Sequence, residues 1–233
     1  MPAASTEFTR FRAALNLSRD ELYGALLQES QDHIRIKKRA VAIRGLESIV
    51  EATLRLAASK GFHAMSLRDL CAESGFSIGG VYAYIKNKAD LIRLIQNYGF
   101  LLTRRTLLDA TRSAAPGREK LEAAIRAHLF LSEIMPDWFS FSFMEARNLP
   151  PAEKRRAVSA AREIEDIFFG ILDEGMEAGL FRRADARLLA SLTKALMQDW
   201  YLKRHKYRRQ EIDVNTYAQS VCDLLQSYLQ GPP

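Results

Sequence analysis

The stretch from Ser66 to Ile92, SLRDLCAESGFSIGGVYAYIKNKADLI, constrains this chain more than any other part. It reads as two short helices joined by a glycine turn. Ser66 has the chemistry of an N-cap, and Asp69 stands three residues on, close to a capping box. Leu67, Leu70 and Cys71 make the apolar side of the first helix. Gly75 is expected to end it, because glycine adopts the positive φ that closes a helix. Ser77 caps the second helix, whose expected buried side is Val81, Tyr82 and Ile85. A corner of Lys86, Asn87 and Lys88 leads into a third, longer helix. A short helix, a tight turn and a second helix bounded by basic residues form the layout of a helix-turn-helix. The second helix of that motif enters the DNA major groove.

The charge distribution points the same way. Residues 31–112 hold 14 Lys/Arg against 7 Asp/Glu, whereas residues 113–233 hold 17 against 17 and residues 1–30 hold 3 against 4. The positive excess therefore lies on and around the helix-turn-helix, as in a phosphate-binding segment attached to a neutral one. No apolar run approaches the ~20 residues of a membrane span. The first 30 residues carry Glu7, Asp20, Glu21 and Glu29 and no apolar signal core. Cys71 and Cys222 sit in apolar helical patterns and make neither a disulfide framework nor a metal cluster. His33, His63, His128 and His205 are scattered without metal spacing, and no phosphate loop, nucleophile elbow or carboxylate pair appears. The expectation is a cytoplasmic protein that is not an enzyme, with no catalytic residue, metal or cofactor.

On these residues the segment resembles the tetracycline-repressor (TetR) family of bacterial transcription regulators. The matching positions are Ser66, Leu70, Gly75, Ser77, Gly79, Tyr82, Asn87 and Lys88, and the preceding helix fits through Ala57, Ala58 and Gly61. The likeness covers roughly residues 44–95. Phe76, Tyr84 and Ile85 depart from the family's Val, His and Phe, and Ile78 and Gly80 stand where polar base-reading residues often sit. The resemblance implies DNA contacts from Ser66, Arg68, Ser77, Ile78, Gly79, Gly80, Tyr82, Tyr84, Lys86 and Lys88, with Tyr82, Tyr84 and Lys88 on the backbone. Arg68 suits a bidentate bond to guanine, a phosphate contact, or an ion pair with Asp69 or Glu73. Ile78 suits a thymine methyl or the core.

No run alternates apolar and polar residues with β-branched enrichment, so the chain reads as all-α. We expect three segments. Residues 1–43 are an extension holding a helix from Ser18 and a basic arm of Arg35, Lys37, Lys38 and Arg39, with Arg44 just beyond. The arm either lies on DNA phosphates or in the minor groove, or forms a solvated helix face or a helix packed on the C-terminal domain. Residues 44–92 are a three-helix DNA-binding domain. Residues 93–233 are a helical ligand-binding and dimerisation domain, with helices expected near 89–114, 118–135, 138–147, 151–177, 186–207 and 214–229. The resemblance implies a homodimer through the last two long helices, where Leu188, Leu189, Leu192 and Leu196, then Val221, Leu224, Leu225 and Tyr228, form wide stripes. Those stripes can also face only their own core. Two-fold dimers read two half-sites, and one short helix contacts few bases.

Fourteen residues from Phe130 to Phe143 hold five aromatics. Phe130, Trp138, Phe141, Phe168 and Trp200 can line an apolar cavity, and His128, Glu145 and Arg147 can orient a ligand there. Each is also an ordinary core or surface residue. The run Glu145 to Pro150, with Gly179 to Arg182, resembles the fatty-acid-responsive branch of the family, whose members often respond to acyl-CoA thioesters. The expected function is that of a repressor released from its DNA operator by a small apolar effector. A DNA-binding regulator without a ligand and an architectural DNA binder are the alternatives.

Overall fold

The structure, a computed structural model, describes residues 6–15, 19–29, 34–146 and 149–230. These form α1 (Glu7–Ala14), α2 (Arg19–Glu29), α3 (Arg39–Lys60), α4 (Leu67–Ser74), α5 (Ile78–Val81), α6 (Lys88–Thr111), α7 (Arg118–Ile134), α8 (Pro136–Glu145), α9 (Pro151–Glu177), α10 (Ala186–Leu202), α11 (Arg204–Arg209) and α12 (Val214–Leu229). There is no strand among the described residues. The chain divides into two compact units. Residues 17–102 and 137–158 make the helix-turn-helix unit; residues 1–16, 103–136 and 159–233 make the C-terminal unit. The division falls inside α6 and α9, and it places α8 with the helix-turn-helix.

In the helix-turn-helix unit, local chemistry sets the helix ends. The Ser66 hydroxyl accepts the Asp69 amide at 3.1 Å, and the Asp69 carboxylate accepts the Ser66 amide at 2.7 Å. This reciprocal capping box starts α4. Gly75 ends it at φ 76°, in the left-handed region. The Ser77 hydroxyl accepts the Gly80 amide at 3.1 Å and starts α5. Asn87 caps the Asp90 amide at 3.0 Å and starts α6. Leu70, Val81 and Ile85 fill the core between these helices, all but sealed from solvent.

Four details differ from expectation. Tyr82 is expected on the buried side but is exposed, because α5 ends at Val81 after a single turn and the side chains that reach the core there are Val81, Tyr84 and Ile85. Helix α3 begins at Arg39, inside the expected arm. Its N-cap, Lys38, makes no side-chain capping bond, so the sequence carries no start signal there. The expected helix 186–207 breaks at Lys203, where the backbone departs from helical geometry. Beyond the break, Lys203 and the Tyr207 hydroxyl both converge on the Asp199 carboxylate. Helix α1 was not expected at all. Ser18, the anticipated cap of the extension's helix, lies outside the described residues.

In the C-terminal unit, α7 packs against α12, α10 and α1, and α10 packs against α12 and α11. Asp185 and Asp213 cap α10 and α12 by accepting the amides of Leu188 and Thr216 at 2.9 and 2.8 Å. Trp200 stacks on Tyr207 with ring centroids 5.4 Å apart, and Tyr217 closes on both. Tyr217 also donates to the Leu196 carbonyl at 2.6 Å, fixing α12 to α10. Helix α1 lies here: Phe8 and Phe11 meet the Phe130 ring at 5.6 and 5.5 Å, and Glu7 pairs with Arg126 at 2.5 Å. Helix α2 belongs to the other unit, where Leu22 and Leu26 pack in the core and Tyr23 stacks on Tyr98 at 4.8 Å.

Candidate DNA-reading face and effector region

Helix α5 presents Ile78 and Tyr82 to solvent, 49% and 45% exposed and one helical turn apart. Arg68 on α4, Gly79 and Lys86 are exposed as well. Gly80 is half-buried beside Phe76. Ser66 and Ser77 are exposed, but their hydroxyls already serve as helix caps. Asp69 is held below the usual carboxylate range, first by the hydrogen bond from Lys60 and then by Ser66. It therefore stays ionised as a cap and pairs with Lys60 at 2.5 Å, while Glu73 accepts from Arg55 at 2.7 Å and Arg68 is exposed.

Two expected backbone contacts are engaged inside the unit. The Tyr84 side chain is buried, and its hydroxyl donates to the Val41 carbonyl of α3 at 3.2 Å. Gly45 makes room for that ring, since a Cβ there would overlap it. Burial raises the Tyr84 phenol above its ordinary pKa. Tyr84 thus fastens the end of the turn to α3 and offers DNA no hydroxyl. The Lys88 ammonium donates to the carbonyls of Phe62, His63 and Met65 at 2.8, 3.2 and 2.7 Å, and lies over the Phe62 ring at 4.8 Å. A lysine has three donors, and these carbonyls take all three. In this arrangement Lys88 pins the segment that follows α3, where helix termini leave carbonyls unpaired, and all three of its donors are taken. Desolvation lowers its pKa, with Glu145 opposing.

The basic arm lies beside the reading helix. The Arg35 amide donates to the Ala83 carbonyl at 2.9 Å, two residues past α5. Arg35, Lys37, Lys38, Arg39 and Arg44 are all exposed. This backbone bond ties the start of the arm to the turn that follows α5.

The expected effector residues divide between the units. In the C-terminal unit, His128 is buried with its ring edge-on to Phe168 at 6.2 Å, and burial, then Lys194, pushes its pKa down to about 3. Phe130 packs beneath Phe8 and Phe11, and Trp200 belongs to the Tyr207 and Tyr217 cluster. In the helix-turn-helix unit, the Trp138 indole donates to the Ile95 carbonyl at 2.7 Å, Phe141 meets Phe62 edge-on at 5.3 Å, and Glu145 pairs with His63 at 3.1 Å. Arg147 lies outside the described residues. Sequence reasoning passed over Lys194. Its ammonium, largely buried, donates to the Ala161 carbonyl at 2.5 Å and stands 3.9 Å from Glu165. Only a charged residue on the inward stripe of α10 marks it in sequence.

Helices α10 and α12 carry a third feature. Leu188, Leu192, Leu224 and Tyr228 are each about half exposed. With Leu189 and Leu196 they line an open groove of about 770 Å³.

A family model described as bacterial regulatory proteins of the tetR family matches residues 49–95, and one described as the tetracyclin repressor-like C-terminal domain matches residues 114–218. The fatty acid metabolism regulator protein of Bacillus subtilis (strain 168) is 23% identical over 186 residues, covering 77% of this chain and 92% of that protein. A tetR-family regulatory protein from Rhodococcus RHA1 superposes with a TM-score of 0.71 at 21% identity, over 81% of this chain and 98% of that one. The regulator FadR from Bacillus subtilis, solved with stearoyl-CoA, superposes with a TM-score of 0.68 at 22% identity, over 80% of this chain and 98% of its own. The two family models meet the reading helix and the C-terminal helices just described, and the chain belongs to the tetR family of DNA-binding transcriptional regulators.

Proposed function

We propose that the protein is a homodimeric repressor that acts in the cytoplasm, holds a DNA operator and lets go when an acyl-CoA fills its C-terminal unit. The exposed Ile78 and Tyr82 face, bordered by exposed basic residues and with the arm bonded to Ala83, carries the DNA half of this reading. Homodimer formation is supported by the half-exposed leucines and Tyr228 of α10 and α12, an apolar face larger than a lone monomer needs. The fatty-acid regulators among its relatives support the effector class. His128, Phe168, Phe130 and Trp200 are the candidate effector residues that lie in the C-terminal unit. Arg104 and Arg105 are exposed and suit the phosphates of CoA.

Release requires that the effector bind the DNA-free arrangement more tightly than the DNA-bound one. Burial of an acyl chain contributes ~0.8 kcal/mol per methylene. Release of labelled operator by a series from butyryl- to stearoyl-CoA should therefore sharpen with chain length until no more of the chain can be buried. Operator binding that no acyl-CoA disturbs would leave a regulator without this effector.

A further inference from the structure

We infer that α5 reads its operator through thymine methyl groups, with Ile78 as the specificity-determining residue. The inference rests on the DNA-reading assignment of this face and names the chemistry by which the face selects sequence. Helix α5 is Ile-Gly-Gly-Val, so none of its own side chains can donate or accept a hydrogen bond. Of the neighbouring hydroxyls, Ser77 accepts the Gly80 amide and Tyr84 donates to the Val41 carbonyl, which leaves the Tyr82 hydroxyl, one turn beyond Ile78, as the uncommitted one. What remains on the outer face is the Ile78 side chain, with Tyr82 one turn beyond.

Beside Ile78, the exposed Gly79 adds no side chain to the surface. A Cβ built there meets no atom within 4 Å, and its φ is not positive, so the fold itself does not require glycine at this position. Its bare backbone leaves room for a partner to approach closely. An isolated exposed isoleucine is ordinary on a protein surface. This one sits on the groove-entering helix of a DNA-binding unit, within a segment of 14 basic and 7 acidic residues. The major groove offers a side chain of this kind one apolar partner, the C5 methyl of thymine. Hydrogen-bonded reading then falls to residues outside α5, Arg68 and Lys86 first among them.

The test removes that methyl and nothing else. The full chain selects sites from random-sequence duplex DNA, and each thymine of the selected site is replaced in turn by uracil. At one or two positions per half-site the affinity should fall about fourfold, equivalent to ~0.8 kcal/mol for one buried methyl. Ile78→Ala should bind thymine and uracil sites equally, and Ile78→Val should retain part of the difference. Because Ile78 is exposed, both variants should melt as the parent does, which thermal unfolding checks. Uracil tolerated everywhere within about 1.5-fold overturns the inference, and so does Ile78→Ala that keeps the thymine preference. Enrichment of no sequence at all would overturn the DNA-reading assignment along with it.

Discussion

The protein exposes two apolar faces, and they differ in what surrounds them. On α5 the face is one isoleucine, a glycine and a tyrosine ring, set among Arg68, Lys86 and the arm. On α10 and α12 it is a run of leucines ending at Tyr228, with the Arg182 guanidinium over that ring at 3.8 Å, in the part of the chain whose charges balance. A small apolar tip in a cationic field fits a groove walled by phosphates. A broad apolar stripe without net charge fits another copy of itself, because a two-fold interface places the same patch on both partners. Hydrophobic exposure alone does not separate nucleic-acid from protein recognition; the neighbouring charge does.

The comparison breaks first at the larger face. Leu192→Glu combined with Leu224→Glu should convert the dimer to monomer in sedimentation experiments. Operator affinity should then fall by about 100-fold or more, because the two half-sites are no longer engaged by one particle. Each side chain is half exposed, so the monomer should keep its helical content. A monomeric variant that held the operator normally would move the dimer contact elsewhere.

Lys88 and Lys86 separate fold from reading within the helix-turn-helix unit. Lys88→Met removes three bonds to backbone carbonyls and should lower stability by about 2–3 kcal/mol, seen as a lower melting temperature. The salt slope of DNA binding should stay as it was. Lys86→Ala should do the reverse, leaving melting unchanged while the slope drops by about 0.9. If Lys88→Met lowers the slope instead, its ammonium leaves the carbonyls when DNA arrives.

The arm is the next test of the cationic surround. Lys37→Ala with Lys38→Ala should weaken binding to every DNA sequence by about tenfold at low salt and reduce the slope by up to about 1.8, two phosphate contacts' worth. No change would return the arm to the reading of a solvated helix face.

How far sequence carried depended on how local each interaction is. Ser66 with Asp69, Gly75, Ser77, and the ends of α9 and α12 were legible because their partners stand within a few residues. Tyr84 and Lys88 were assigned to DNA because the residues that occupy them are distant: Val41 stands 43 residues away, and the carbonyls that hold Lys88 stand 23 to 26 residues away. Neither distance leaves a trace in the local pattern. Helix α1 was missed for the same reason, since Phe130 and Arg126 of α7 hold it in place. The aromatics from Phe130 to Phe143 were read as one cavity wall. Composition cannot show that Phe130 and Trp138 belong to different compact units.

The smallest effect discriminates most finely between the two faces. Gly79→Ala adds one methyl group at a position where nothing lies within 4 Å and φ is ordinary. Alanine is a better helix former than glycine by up to about 1 kcal/mol, so the variant should melt at the same temperature or slightly higher. On DNA the methyl would project from the exposed surface beside Ile78 and hold the helix off the groove, and affinity should fall several-fold. Leu192→Ala on the other face should behave differently: it shaves the dimer contact, so stability and operator affinity should fall together, and both losses should shrink as protein concentration rises. The Gly79→Ala loss should not depend on concentration. Melting and operator titration of both variants at two protein concentrations separate a face that meets DNA from a face that meets its twin. A concentration-dependent loss for Gly79→Ala would mean that α5 also contributes to assembly.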